Sequence, residues 1–418
     1  MPAIPFAPTR RALLVGSGVL FAAAQLPRPA RADGRDPRFL AIVLRGALDG
    51  LAAVAPVGDP DWLRLRGDDA VARSGDAAGL PLDAMFALNP AMPTLHRLYS
   101  GGQATIVHAV ATPYRDRSHF DGQNVLETGG VKPGTLDSGW LNRAVAALTA
   151  ARGDDPNARR SLAIGAVAPL IIRGPAPVLS WETRRLPPVS NETTMRLLDL
   201  YRHSDPAFAR ALEEHIGIEA IARAGGIAAA PNGTAAAAPP GRANPVRAYF
   251  AEAAGAAAKF LAQPDGPRIG ALAFDGWDTH VNEGPLRGRL GDLLGALDDA
   301  FGALADNMGD AWGQTVAIAV TEFGRTARIN GSGGTDHGTA TVALLAGGAL
   351  KGGRVVADWP GLKDAELYQD RDLRPTTDLR AVLKGVLRDH LGIAEPALAT
   401  AIFPDSAAVK PVPGLVSA

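Results

Sequence analysis

Six short apolar runs, separated by segments with helical spacing, constrain the fold of this chain more strongly than any other feature of its sequence. The first run is apolar throughout, which is typical of a strand buried on both faces under helices. Between the runs, apolar residues recur three and four positions apart, as on the buried face of a helix. The runs cover residues 39–44, 104–110, 162–165, 268–274, 315–320 and 341–346, and the helical segments cover 91–99, 140–148, 193–221, 246–261, 285–308 and 375–391. This alternation predicts an α/β fold, a three-layer sandwich with a mostly parallel central sheet.

The N-terminus has the pattern of an export signal. Arg10 and Arg11 precede a weakly hydrophobic stretch over residues 12–26, and the Ala-Arg-Ala triplet at 30–32 resembles a cleavage site. About 15 apolar residues interrupted by glycine are too few to span a bilayer comfortably, which disfavours an uncleaved anchor. We therefore predict a twin-arginine signal peptide over residues 1–32, bound by the twin-arginine translocase during export, and a periplasmic or secreted mature protein.

The composition excludes several classes of function. The chain has 418 residues and no Cys, which rules out disulfides, Cys-ligated zinc, iron–sulfur clusters and a Cys nucleophile. Its 42 basic and 43 acidic residues argue against nucleic acid as a partner, and loss of the four Arg in residues 1–32 leaves 38 against 43, a net charge of −5. No other stretch is apolar enough for stable membrane insertion. We expect residues 33–418 to form one soluble domain, with a low-complexity surface insertion near 222–245.

Polar residues collect where the predicted strands end. Asp49 follows the first run, residues 112–124 follow the second, 275–282 the fourth and 321–326 the fifth, while 333–338 precede the sixth. In an open α/β sheet, ligands bind beyond the carboxyl ends of the strands.

Three histidines lie in these segments, and each has an Asp within two residues. They are His119, His280 and His337. Imidazole nitrogens and carboxylate oxygens from separate loops are the ligands that divalent cations need. A single Asp-His pair in a loop is also commonly a cap or a surface pair, so spacing alone leaves a metal site and a structural role open.

Two further residues have a functional and a structural interpretation. Ser118 stands at a predicted helix start, where Ser is a preferred N-cap, but it also suits a nucleophile whose substrate rests on the exposed helix N–H groups. Arg325 follows Glu322 and suits either a clamp on an oxyanion or a structural salt bridge.

A series of ordered motifs runs through the predicted mature chain. They are LRGALDG at 44–50, RSHFDGQ at 117–123, GWDTH at 276–280, TEFGRT at 321–326, GSGGTDHG at 331–338, KGG at 351–353, DWPGL at 358–362 and TTD at 376–378. Together with the twin-arginine signal, these motifs resemble domain-of-unknown-function family 1501, exported bacterial proteins assigned to the alkaline phosphatase and sulfatase superfamily. The resemblance covers essentially the whole mature chain.

The resemblance implies an alkaline-phosphatase-like, doubly wound sandwich with one or two divalent metal ions at the strand ends and a Ser or Thr nucleophile. By this similarity Ser118 is the expected nucleophile. The expected metal ligands are Asp49, Asp278, His280, Glu322, Asp336 and His337. The chain departs from the superfamily at Glu322-Phe323, where members commonly have an Asp-His pair. Which ion each ligand serves, and whether that ion is zinc, calcium, magnesium or manganese, is left open.

These observations support three hypotheses of function. The leading one is an exported metal-dependent hydrolase of phosphate or sulfate esters, in which metal ions activate Ser118 and Arg325 holds the equatorial oxygens of a small or polymer-linked anionic ester. The first alternative is a non-catalytic, export-linked binding protein that keeps the fold and one metal. The second is a metal-free Ser hydrolase, although no Gly-x-Ser-x-Gly elbow surrounds Ser118.

Overall fold

A computed structural model describes most of the chain beyond the predicted export signal. It describes residues 35–152, 161–165, 167–182, 184–185, 194, 197–198, 200–202, 205–227, 230–231 and 244–417. The predicted signal at 1–32 lies outside these residues, as do 228–229 and 232–243 of the predicted insertion. Residues Pro37–Ala418 form one compact unit. The start of the mature domain at residue 33 stays a prediction.

Within the described residues, nine strands form the central sheet. In chain order the strands of the described residues are β1 (Arg38–Arg45), β2 (Val54–Ala55), β3 (Leu80–Pro81), β4 (Ala87–Leu88), β5 (Ala104–Ala111), β6 (Ser161–Ile164), β7 (Val178–Trp181), β8 (Arg184–Arg185), β9 (Ala230–Pro231), β10 (Ile269–Asp275), β11 (Thr315–Thr321), β12 (Thr341–Ala346), β13 (Arg354–Val356) and β14 (Thr377–Asp378). The central sheet has the order β13-β5-β12-β11-β1-β10-β6-β7, with β14 also paired to β5. The short strands β2 to β4 and β8 to β9 form two small separate sheets.

Most neighbouring strands of the central sheet run parallel. β1 pairs in parallel with β10 on one side and β11 on the other, and β10 continues in parallel to β6 and β7. β12 is the exception, because it runs antiparallel to both β11 and β5. The predicted α/β class with a mostly parallel sheet is confirmed.

Helices cover both faces of this sheet. They are α1 (Gly50–Ala53), α2 (Trp62–Arg66), α3 (Pro93–Ser100), α4 (His119–Thr128), α5 (Trp140–Arg152), α6 (Pro206–Ala224), α7 (Pro245–Ala262), α8 (Arg289–Asn307), α9 (Leu379–Leu391) and α10 (Glu395–Ala397). From β1, Ile42 and Leu44 pack into one core with α3, α7 and α8, while Ala41 and Val43 pack into a second core with α5 and α9. Because alternate side chains of a strand point to opposite faces, both faces are buried, as the continuous apolar runs predict.

The reversal of β12 brings an additional loop to the functional edge. β1, β5, β10 and β11 all end at the same side of the sheet, because they share one direction. An antiparallel strand begins where its neighbours end, so the loop before β12 lies at that same side. Residues that precede β12 therefore meet residues that follow the other four strands.

The six predicted strands all lie in the central sheet, and three further strands of that sheet were not predicted. β7 lies in a Pro-rich stretch, and β13 and β14 are three and two residues long, too short to show a period. Helix α9 begins after Asp378, which caps it, because Asp378 Oδ1 accepts the Arg380 N–H at 2.8 Å. Among the described helices, none is both long enough and apolar enough to cross a membrane.

Candidate metal centre

Three histidine nitrogens converge on one carboxylate oxygen at this edge of the sheet. Asp278 Oδ1 lies 3.4 Å from His119 Nε2, 3.0 Å from His280 Nε2 and 3.3 Å from His337 Nε2. The Nε2 atoms of His280 and His337 are 2.9 Å apart. Ligand atoms of His119, Asp278 and His337 all lie within 4.8 Å of one another. We refer to these four side chains as the His3Asp cluster.

The other ring nitrogen of each histidine faces an oxygen. His119 Nδ1 lies 2.8 Å from Glu322 Oε1, and His337 Nδ1 lies 2.9 Å from the Arg117 carbonyl oxygen. His280 Nδ1 lies 3.5 Å from Asp336 Oδ1. A carbonyl or carboxylate oxygen requires the proton on Nδ1, so in the neutral ring the lone pair is on Nε2 and points into the cluster. Histidines that bind metals are oriented in this way.

The donor set fits a divalent metal ion better than it fits hydrogen bonding alone. Among the described residues, none makes a hydrogen bond to the buried His119 Nε2. Three neutral imidazoles would aim three lone pairs at one another and at a carboxylate, which is unfavourable without a cation between them. Three nitrogens and one carboxylate oxygen suit zinc better than calcium or magnesium, which prefer oxygen ligands.

Glu322, an expected ligand, lies behind His119. Its side chain is fully buried, and Oε1 accepts hydrogen bonds from the Gly46 N–H at 2.9 Å and the Gln123 amide at 3.1 Å, besides facing His119. Burial raises the pKa of Glu322, but the hydrogen bonds, first that of His119, outweigh it and leave the pKa below its ordinary value. The hydrogen bond to Glu322 in turn raises the pKa of His119 against the effect of burial. Glu322 thus orients His119.

Asp336 similarly lies behind His280. Its side chain is about half exposed and accepts a hydrogen bond from the Asn330 amide at 3.1 Å. At 3.5 Å from His280 Nδ1, its carboxylate faces the ring from the side opposite the cluster. Glu322 and Asp336, which the family resemblance makes expected ligands, each contact the outer nitrogen of a histidine of the His3Asp cluster.

Arg325 is buried under the cluster. Its guanidinium donates to Asp278 Oδ1 at 2.6 Å and to the carbonyl oxygens of Gly46, Ala47 and Thr335 at 2.8, 2.7 and 3.1 Å. Burial raises the pKa of Asp278, but Arg325 outweighs it and holds that pKa below its ordinary value. With its donors directed at protein oxygens and its side chain fully buried, Arg325 is placed to hold Asp278. It does not face solvent as the expected substrate clamp would.

Gly46 allows this close packing. Its φ is +118°, and a Cβ at this position would lie 2.5 Å from the Asp278 backbone nitrogen. No other residue type fits both the backbone conformation and the space. The strand end of β1 can therefore approach the loop that carries Asp278.

Ser118 lies between Arg117, which contacts the cluster, and His119, which belongs to it. Arg117 presents its carbonyl oxygen to His337, and His119 is the first residue of α4. Arg117 has φ +59°, a left-handed conformation uncommon outside glycine, and its side chain is held by two contacts of 2.9 and 2.7 Å to Asp372 Oδ2. The Ser118 side chain makes no capping hydrogen bond to the described backbone of α4. The Ser118 hydroxyl is therefore not held by an N-cap hydrogen bond, the structural role that the sequence left open.

Asp49, another expected ligand, is engaged elsewhere. Its carboxylate is buried, forms a bidentate ion pair with Arg66, and accepts the Leu51 and Ala52 N–H groups at 3.0 and 3.2 Å as N-cap of α1. A guanidinium supplies the positive charge that a metal ion would supply. In the structure, Arg66 and the start of α1 thus use the oxygens of Asp49, which the family resemblance makes an expected ligand.

The contacts of Asp49 predict that replacing it lowers the stability of the protein but leaves its metal content unchanged. Asp49→Asn keeps the cap but leaves the buried Arg66 charge unpaired, so the free energy of unfolding should fall by about 3–5 kcal/mol. Bound metal per folded chain should stay unchanged. Urea denaturation and elemental analysis measure the two quantities. Asp61→Asn, which breaks the partly exposed pair with Arg64, is the control and should cost less than about 1 kcal/mol. Loss of metal from Asp49→Asn would return Asp49 to the ligand set.

His119 is the ligand candidate that sequence reasoning did not include among the expected ligands. The signal for it was present, since His119 is one of the three histidines with an Asp nearby at a strand end. The family resemblance implies a role for its neighbour Ser118 and none for His119. The three expected residues that do meet are Asp278, His280 and His337.

Comparisons with known proteins identify a family and distant likenesses. The model of one family, described as a protein of unknown function (DUF1501), matches residues 101–402. No curated protein matches the chain. Solved structures that resemble it include Ps i-CgsB in complex with k-i-k-neocarrahexaose, at 10% identity, covering 90% of this chain and 77% of that one, with a TM-score of 0.39.

Two further likenesses come from named bacteria. Phosphonate monoester hydrolase of Agrobacterium radiobacter is 13% identical to this chain. The match covers 86% of this chain and 74% of the hydrolase chain, with a TM-score of 0.32. A protein in the alkaline phosphatase superfamily from Vibrio parahaemolyticus is 12% identical, with coverages of 75% and 60% and a TM-score of 0.31. TM-scores this low support no inference about activity. The family match extends over most of the chain and includes all four residues of the His3Asp cluster, and the chain therefore belongs to the DUF1501 family.

Proposed function

We propose that this protein is an exported, metal-dependent hydrolase of phosphate or sulfate esters. The observation that carries the proposal is the His3Asp cluster, in which three imidazole Nε2 atoms meet around Asp278 Oδ1. His119, His280, His337 and Asp278 would hold one ion, with zinc favoured by the three nitrogen ligands. When bound, this ion would supply Lewis-acid polarisation of an ester oxygen and stabilise charge in the transition state.

The remaining chemistry is assigned to the chain itself. Ser118 Oγ forms a bond to phosphorus or sulfur, the ester bond to the leaving oxygen breaks, and the serine proton goes to the departing alcohol. Water then cleaves the seryl ester, which releases phosphate or sulfate and restores the serine hydroxyl. The N-terminus of α4, directly after Ser118, favours an anion through its unpaired N–H groups. Arg325 acts by holding Asp278 in place rather than by contacting the substrate.

The engagement of two buried arginines supports the binding-protein alternative. Arg325 and Arg66 are both engaged by protein carboxylates, so neither offers a free guanidinium to an ester. Purified protein distinguishes the hypotheses when its metal content is measured and a panel of phosphate and sulfate esters is assayed. Metal with turnover supports the hydrolase, metal without turnover supports the binding protein, and turnover without metal supports a metal-free Ser hydrolase.

Export is tested separately. Replacing Arg10 and Arg11 together by Lys should leave an unprocessed precursor in the cytoplasm, because the translocase recognises the arginine pair. The processed wild-type protein should begin at Asp33. Cell fractionation with mass spectrometry of the N-terminus measures both results. Normal delivery of the double Lys variant to the periplasm would reject the twin-arginine pathway.

A further inference from the structure

A buried carboxyl side chain links the two loops that carry most of the cluster. Asp278 and His280 lie on the loop after β10, and His337 lies on the loop before β12. Glu283 Oε1 accepts the Thr279 hydroxyl at 2.8 Å, and Oε2 accepts the Thr335 hydroxyl at 3.1 Å. Thr279 stands between Asp278 and His280 in the chain, and Thr335 stands two residues before His337. Each oxygen of Glu283 therefore holds one of the two loops.

Backbone hydrogen bonds join the same two loops around Glu283. The Asn282 N–H donates to the Ser332 carbonyl at 3.0 Å, the Glu283 N–H to the Gly333 carbonyl at 2.8 Å, and the Thr335 N–H to the Thr279 carbonyl at 3.3 Å. The two loops thus form one hydrogen-bonded unit, in which Glu283 provides the side-chain connection.

Burying Glu283 at this position has a free-energy cost. Its side chain is fully buried, and burial, followed by the charge of nearby Asp49, raises its pKa to about 8. A buried carboxyl costs free energy that an apolar residue of similar volume would not cost. An apolar residue could not accept hydrogen bonds from two threonines at once, so the carboxyl is suited to setting the separation of the loops.

We propose that Glu283 is a positioning residue that sets the spacing between Asp278, His280 and His337 and thereby the affinity of the site for its metal ion. This inference rests on the metal site of the proposed function. Residues that orient metal ligands from behind typically change metal affinity by about 10–100-fold when they are replaced. Glu283 would act in this way through the threonines, without touching a ligand.

The test compares replacements at two buried carboxylates. Glu283→Leu should weaken zinc binding by at least about 10-fold, while Glu283→Gln, which keeps a donor and an acceptor, should stay within about 3-fold of wild type. Asp298→Leu is the control, because Asp298 is equally buried and accepts the Thr94 and Leu95 N–H groups at 2.9 and 2.7 Å, away from both loops. It should lose stability with unchanged zinc affinity. Competition with a chelator at a temperature where all variants are folded measures the affinity.

Hydrogen exchange of the metal-free protein gives a second measurement. Exchange at the Asn282, Glu283 and Thr335 amides should accelerate at least about 10-fold in Glu283→Leu and not in Asp298→Leu. If Glu283→Leu does not fold, Thr279→Val with Thr335→Val removes both hydroxyl donors at nearly constant volume and should show the same two changes.

The possible results separate this inference from the proposed function. If the wild type binds no zinc but its loop amides depend on Glu283, the metal site is wrong and the link between the loops stands. If the wild type binds zinc and folded Glu283→Leu matches it in both affinity and exchange, the role of Glu283 is wrong and the metal site stands.

Discussion

His337→Ala is expected to weaken metal binding by at least about 100-fold and to remove the increase in melting temperature that added metal produces. The substitution deletes one of the three imidazole nitrogens of the His3Asp cluster, and a metal that binds only the folded state stabilises it by mass action. His119→Ala and Asp278→Ala should have the same effect. Elemental analysis after dialysis and thermal melts with and without zinc measure these changes.

A second histidine provides the control for this prediction. His96 lies away from the cluster, with Nε2 2.9 Å from the Pro81 carbonyl oxygen at an exposed position. His96→Ala should retain wild-type metal content and the wild-type response of the melting temperature. Equal metal content in His96→Ala and the three cluster variants would show that the cluster does not bind the ion.

Ser118→Ala is expected to reduce ester hydrolysis by at least about 1,000-fold per metal-loaded molecule, because it removes the attacking oxygen. Metal content should stay unchanged, since Ser118 is not in the ligand set. Stability should change by less than about 0.5 kcal/mol, because the side chain makes no capping hydrogen bond within the described part of α4. The measurements are turnover with the best ester of the panel, metal content and urea denaturation.

Ser118→Asp separates the nucleophile from an N-cap. Asp caps a helix as well as Ser does but lacks the hydroxyl, so this variant should be as inactive as Ser118→Ala. An N-cap role instead predicts that Ser118→Ala loses about 0.5–2 kcal/mol of stability and keeps its turnover. Full activity of folded Ser118→Ala would remove Ser118 from the mechanism and leave a water molecule as the nucleophile.

The position of the site could be predicted from the sequence for a local physical reason. A continuous apolar run specifies a strand buried on both faces, and strands of one direction end at one edge of the sheet. The polar residues that follow those runs must therefore gather at that edge. Asp278, His280 and His337 were assigned to the site on this reasoning together with the family resemblance, and their side chains do meet.

The role of each polar side chain was decided only by the tertiary structure. Glu322 binds the outer nitrogen of His119, 203 residues away in the chain, and Arg325 is buried against the ends of loops 47 and 278 residues away. Asp49 is paired with Arg66, which no spacing rule links to a strand end. A carboxylate has the same sequence signal whether its partner is a metal, an arginine or a histidine. The sequence by itself determined the fold class and the edge where polar groups collect, because burial and strand direction leave a local pattern. The partner of each charge depends on which distant loop packs beside it, and only the folded chain decides that.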